Sequence, residues 1–147
     1  MATIGKAAKR RQADADRARQ QRQNEEQRRV EEITRLIEET GWAVCVADSD
    51  DPMDPAPHFG YTIGRSAKGQ PELCAWGHNR EDIQTTLNLI GGILERDQHL
   101  IEVGDQVTIP GVGVWRALPV PAPVMGHLAY ARQRYTFLRA VRLTRVV

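Results

Sequence analysis

Apolar side chains are missing from a long early stretch of the chain. Residues 6–29, "KAAKRRQADADRARQQRQNEEQRR", hold no Val, Ile, Leu, Met or aromatic residue. Ala, Arg, Gln and Glu form helices well, but a segment without an apolar stripe gains nothing by packing. It reads as a solvated helix, a disordered arm, or a helix completed by a partner. No a/d heptads occur, which argues against a coiled coil. The pattern changes at Asn24, where Asn24 and Gln27 have the spacing of a capping box. Val30, Ile33, Leu36 and Ile37 then recur at helical spacing, and Gly41 is a stop signal. The expectation is a charged arm over 1–24 and a globular domain over 25–147, whose first helix spans 25–40.

Beyond Gly41 the period shortens. "GWAVCVAD" (41–48) is a short, β-branched apolar run, expected as a central strand. "SDDPMDPAPH" (49–58) carries acids and three prolines and is a loop. "HFGYTI" (58–63) and "PELCAW" (71–76) read as two strands joined by a turn over 64–70, a loop too long for a tight hairpin. Ile83, Leu87, Ile90 and Leu94 then mark an amphipathic helix over 79–97, with Asn79 placed to cap it. Gly91-Gly92 weaken that helix by about 1 kcal/mol each, which a close approach of another backbone would explain. Residues 106–120 give two short strands around Pro110-Gly111, and "PAP" (121–123) breaks the chain. A helix is expected over 125–135 and a strand over 137–147. Three strands precede the long helix on short connections, which favours an α+β domain with a largely antiparallel sheet packed by two or three helices.

Charge alters this picture more than composition does. The formal net charge is only +1, yet residues 1–29 carry nine Lys/Arg against four Asp/Glu, residues 30–127 six against fifteen, and residues 128–147 five Arg and no acid. Two basic ends flank an acidic middle, which bears on partners. No run of about 18 apolar residues exists, so no membrane span is expected, and the N-terminus lacks the apolar core of a secretory signal. Cys45 and Cys74 sit in apolar runs and are expected as buried reduced thiols, which implies a cytoplasmic location.

Familiar catalytic patterns are absent. There is no phosphate-binding G-x-x-x-x-G-K-[ST], no G-x-G-x-x-G, no C-x-x-C, no H-E-x-x-H and no G-x-S-x-G. The acids Asp48, Asp50, Asp51 and Asp54 lack the Gly and Glu of a calcium loop. No metal and no cofactor is expected.

Three segments carry a resemblance. Gly41-Trp42, Phe59-x-Tyr61-Thr62-Ile63-Gly64, and Gly69-Gln70-Pro71-Glu72-Leu73 leading to Gly77 together resemble the bacterial and phage family known as domain of unknown function 4262, over roughly residues 30–140. Arg65 stands where members often have Leu. The resemblance implies no activity. A phage origin would place the protein in the host cytoplasm, with a host protein or a virion subunit as partner.

Two readings of the hairpin stay open. In one, its glycines make the turn, Tyr61 is a core aromatic, and Arg65 pairs with Glu72 on the surface. In the other, His58, Tyr61, Thr62, Arg65, Glu72 and His78 offer polar groups to a small ligand, as a binding site or an acid–base centre. His127 reads as a half-buried histidine. For the whole chain, the first expectation is a small binding or regulatory protein acting through a protein partner held by residues 1–29. The alternatives are nucleic-acid association, in which Arg10, Arg11, Arg17, Arg19, Arg22, Arg28 and Arg29 contact phosphates, and an enzyme or ligand binder at the 58–78 hairpin. An oligomer is compatible with all three.

Overall fold

Two apolar clusters, one on each face of a single sheet, organise the domain. The computed structural model describes residues 2–49, 55–125, 128–135 and 138–146. The elements are α1 (Ala2–Thr40), β1 (Ala43–Asp48), β2 (His58–Ile63), β3 (Glu72–Gly77), α2 (Arg80–Arg96), β4 (Gln106–Ile109), β5 (Gly113–Pro119), α3 (Ala122–Met125), α4 (Ala129–Arg134) and β6 (Ala140–Val146). A 3₁₀ turn, Arg65–Lys68, lies between β2 and β3. The six strands run in the order β1-β2-β3-β6-β5-β4. Only β3 and β6 pair in parallel; all other neighbours are antiparallel. The fold is α+β with a largely antiparallel sheet, as the element order implies.

Helix α2 buries Ile83, Leu87, Ile90 and Leu94 on one face of the sheet, against Leu73, Ala75, Val141 and Leu143. Asn79 caps it by accepting from the Asp82 amide at 3.1 Å. Each of those four side chains contributes about 1.5–3 kcal/mol by leaving water. That outweighs the roughly 2 kcal/mol which Gly91 and Gly92 together cost the helix. A side chain at Gly91 would meet the indole of Trp42 at 3.1 Å, so the close neighbour is an aromatic ring, not the expected backbone. Gly60 has a similar role: a Cβ there would lie 2.3 Å from Ile83 Cγ2, so α2 rests directly on β2. The opposite face holds Phe59, Tyr61, Ile63 and Cys74 against Ile33 and Ile37 of α1, Leu128 at the N-cap of α4, and Ala131 of α4.

Several boundaries differ from expectation. Helix α1 is continuous across Asn24, whose side chain accepts from Gln20 at 3.1 Å, so no capping box forms there. It ends where Gly41, at φ +97°, donates to the Ile37 carbonyl. The strand expected at the centre, β1, is an edge strand: its 41–48 run is apolar because helices cover both of its faces, α2 on one and α1 on the other. "PAP" starts α3 rather than breaking the chain, since proline is tolerated in a first helical turn. The helix expected over 125–135 is realised as α4 alone, after α3 has ended at Met125. Asp50, Asp51, Asp54 and His127 lie outside the described residues. Among the described residues no helix is long and apolar enough to cross a membrane.

Candidate functional site

The hairpin motif folds into a buried polar knot. Thr62 and Glu72 have no exposed surface and Arg65 is 2% exposed. Glu72 leads β3, and its carboxylate turns back to the start of the 3₁₀ turn, where amides have no helical partner. It accepts from the Gly64 (3.3 Å), Arg65 (3.2 Å) and Ser66 (2.9 Å) amides. It also accepts from the hydroxyls of Thr62 (2.9 Å) and Ser66 (2.6 Å). Thr62 Oγ1 in turn accepts from the Leu73 amide at 2.9 Å. Gly64, at φ +125°, and Gly69, in the left-handed region at φ +73°, make the bends that bring these groups together.

Arg65 and Glu72 do not form the surface pair expected of them. Both are buried, and Arg65 reaches Glu72 only through its own backbone amide. The guanidinium donates instead to the Pro71 carbonyl at 3.1 Å and to Gln70 Oε1, while Nη1 is buried without a partner. Loss of hydration holds the Arg65 pKa below its usual value, with Glu72 and Glu95 opposing that shift. The Thr-x-Gly and Pro-Glu-Leu elements are thus spent on bonds inside the hairpin.

The other hairpin candidates go elsewhere. Tyr61 faces α4, where its hydroxyl accepts from the Tyr130 amide at 3.3 Å, and it stands opposite Cys45 in the register of β1 and β2. Burial, more than any neighbour, raises its pKa. His58 pairs with Gly77 in register, and its Nδ1 lies 3.2 Å from Asp48, which also accepts from Arg80 at 3.0 Å. His78 is exposed and lines a cleft between β3 and β6. The six candidates therefore divide into a knot, a core tyrosine and two histidines near one end of the hairpin. Among the described residues no cluster of His, Cys, Asp and Glu is placed to hold a metal ion.

Both cysteines are free thiols. Burial pushes the Cys45 thiol up to about 11, against a smaller opposing effect of the Tyr61 hydroxyl, and pushes Cys74 higher still. The thiolate is the reactive form, so alkylation of Cys45 by iodoacetamide at about pH 8 is expected to be roughly 10²-fold slower than for free cysteine. The rate should rise tenfold per pH unit up to about 11, with Cys74 unmodified until the protein unfolds. Mass-spectrometric rates check this; fast labelling of Cys45 at neutral pH would contradict it.

The basic arm is a helix, exposed on every side from Gly5 to Glu32. With nothing apolar to bury, it is supported by local pairs at helical spacing: Arg17–Asp14 (2.6 Å), Arg19–Asp16 (2.8 Å), and Arg35 with Glu32 and Glu39. At about 100° per residue, Arg10, Arg11, Arg17, Arg22, Arg28 and Arg29 fall within roughly 140° of one side, along roughly 28 Å. Only Asp14 and Glu25 share that side; Arg19 lies off it. Where the arm joins the domain, Tyr130 of α4 donates to Glu26 at 3.0 Å, and Arg134 donates to Thr34 at 3.3 Å. Arg28, Arg29, Arg80 and Tyr130 line a cleft of about 620 Å³ beside β1. Arg80 and Tyr130 had no signal in the sequence, whereas the sidedness of the arginines was readable from their spacings of seven and eleven.

The architecture is that of an α+β domain, a largely antiparallel sheet between helices, with a projecting basic helix. The chain belongs to the family described as Domain of unknown function (DUF4262), whose match spans residues 36–147. The exposed part of α1 precedes that match. No curated protein and no solved structure matches the chain.

Proposed function

We propose that this is a small binding protein that acts through a macromolecule held along α1, and that the macromolecule is a nucleic acid. The one-sided row of six arginines on an exposed helix carries this reading. A protein partner, the other occupant considered for residues 1–29, is ordinarily gripped by buried aromatic or aliphatic anchors. Residues 6–29 offer none. Affinity must come from charge, and a phosphate backbone supplies the matching charge without apolar contacts. The cleft beside β1 carries Arg28 and Arg29 to the edge of the domain, where Glu32, Asp48 and the Asp48-paired Arg80 also line it.

With six phosphate contacts, affinity for a random-sequence DNA duplex is expected to fall roughly 10³-fold between about 50 and 200 mM salt. Replacing Arg10, Arg11, Arg17 and Arg22 by Gln should flatten the slope of log affinity against log salt by about 0.9 per arginine removed. Fluorescence anisotropy across a salt series measures both. Salt-independent binding, or an unchanged slope in the variant, would refute the reading. A nuclease-resistant protein partner lost in the same variant would replace it with the protein-partner alternative.

A further inference from the structure

Strand β1 bounds one side of the sheet and pairs only with β2. The ladder continues past Asp48, where the Ser49 amide donates to the Pro57 carbonyl at 2.8 Å. Bonded and non-bonded residues alternate in an antiparallel ladder. Ala43, Cys45 and Ala47 therefore turn their backbone groups to β2, while Val44, Val46 and Asp48 turn theirs outward. Arg80 agrees with this parity, since it reaches the Val46 carbonyl from outside at 3.5 Å, longer than an ordinary hydrogen bond. Its closer bond is to the Asp48 side chain at 3.0 Å. Among the described residues, nothing else bonds the outward amides and carbonyls of Val44 and Val46.

Such an edge is a template for another strand. Sheets that stay monomeric break their edges with lysine, proline or a bulge. Ala43–Ala47 holds no charge and no proline, and its register is continuous. Val44, Cys45 and Val46 are half-buried and form the floor of the cleft beside β1, which Ile33 and Leu36 of α1 wall. This edge complements itself. Turned about a two-fold axis at Val46, a second copy sets Val46 against Val46 and Val44 against Asp48, and each such pair exchanges both its bonds. Only the long Arg80–Val46 contact is displaced. The axis stands perpendicular to the sheet, so the two copies of α1 lie on one face, reversed. Only Gly41 and Trp42 join α1 to β1, and residues 28–36 line the same cleft as residues 44–48, so α1 runs back along its own strand. Arg28 and Arg29 thus mark the Asp48 end of the cleft, and Glu38 and Glu39 lie beyond its Val44 end. The reversal brings helix ends of opposite charge together, as a matched interface requires.

We propose that the outer edge of β1 pairs with β1 of a second copy, giving a two-fold dimer whose sheet runs through both chains. This goes beyond the nucleic-acid reading and does not rest on it. Sedimentation equilibrium of the nuclease-treated full chain is expected to give twice the 16.5 kDa chain mass at micromolar concentration. V46P removes an outward amide and spares the bonds to β2, so it should raise the dimer dissociation constant about tenfold or more. A47K places a charge on the edge at an exposed residue and should act alike, which supplies a folded variant if V46P does not fold; circular dichroism verifies both. A cross-link tests the register. Ala47 stands opposite Cys45 of the second copy in a non-bonded pair, where Cα atoms lie about 4.5 Å apart, within disulfide reach. Oxidation of A47C with copper phenanthroline should give a covalent dimer on a non-reducing gel, and A47C/C45S should give none. The R10Q/R11Q/R17Q/R22Q variant should dimerise as the wild type does. A monomer throughout the concentration series, a dimer indifferent to both V46P and A47K, a cross-link that survives C45S, or loss of the dimer in the arm variant would each overturn the proposal. Failure of the duplex titration leaves the dimer unaffected.

Discussion

Glu72→Ala is expected to cost about 5 kcal/mol, enough to unfold much of the protein at room temperature, because a buried donor left without an acceptor costs about 1–3 kcal/mol and total stability is only 5–15 kcal/mol. Three amides and two hydroxyls donate to this carboxylate. Glu72→Gln is the sharper probe. It keeps the shape, but one carboxylate oxygen becomes an amino group. If that group takes the place of Oε2, it faces the Gly64 and Ser66 amides and the Ser66 hydroxyl, donor against donor. A loss of about 2–3 kcal/mol follows. Arg65→Met should cost less than either, because Arg65 is not the carboxylate's ion-pair partner and its Nη1 is already unsatisfied. Its backbone amide, the part that bonds Glu72, survives the substitution. Urea denaturation followed by circular dichroism gives all three values. Glu72→Gln within about 0.5 kcal/mol of the wild type, which is the usual range of an ordinary surface change, would show that the knot does not hold the hairpin.

The same knot explains what could be read in advance. Alternation along β2 correctly separates Phe59, Tyr61 and Ile63 from His58, Gly60 and Thr62. It does not reveal that both faces are covered. Gly60 was the available signal, because a strand residue without a side chain marks a close approach, here of Ile83. Glu72 looked like a surface acid because its acceptor role depends on backbone amides, which no side-chain pattern displays. The long helix α2 was legible because four apolar residues repeat at its period. The arm was not, because polarity on all sides fits a solvated helix and a disordered chain equally well. What distinguishes them is local: Asp14 with Arg17, and Asp16 with Arg19, stand at the spacing that supports a helix. That β1 lies at an edge was not legible, because an apolar run reads alike in a central strand and in an edge strand covered by helices on both faces.

Gly64→Ala should be nearly as damaging as the loss of Glu72, through a different cause. Gly64 sits at φ +125°, and a Cβ there would lie 2.6 Å from the Gly41 carbonyl oxygen and 3.0 Å from Trp42 Cα. Both neighbours are backbone, at the corner where α1 passes into β1, so neither can swing aside as a side-chain tip would. Strained backbone costs of order 1–3 kcal/mol, and forcing an extra methyl into a filled space costs about 1–3 more. The expected loss is about 4 kcal/mol. Gly69→Ala separates the two terms. Gly69 also has positive φ, at +73°, but a Cβ there meets nothing within 4 Å. Only the conformational cost of about 1–2 kcal/mol applies. Chemical denaturation of the two variants should therefore differ by about 2–3 kcal/mol, which is the overpacking term plus the harsher dihedral. Equal losses would mean that the corner between α1 and β1 yields freely. In that case the arm is not held at a fixed angle to the domain, and the basic side of α1 does not lead in a fixed direction into the cleft beside β1. A large difference means the corner is rigid, so that Arg28 and Arg29 stay in line with the arginines farther out and the helix presents one continuous charged surface.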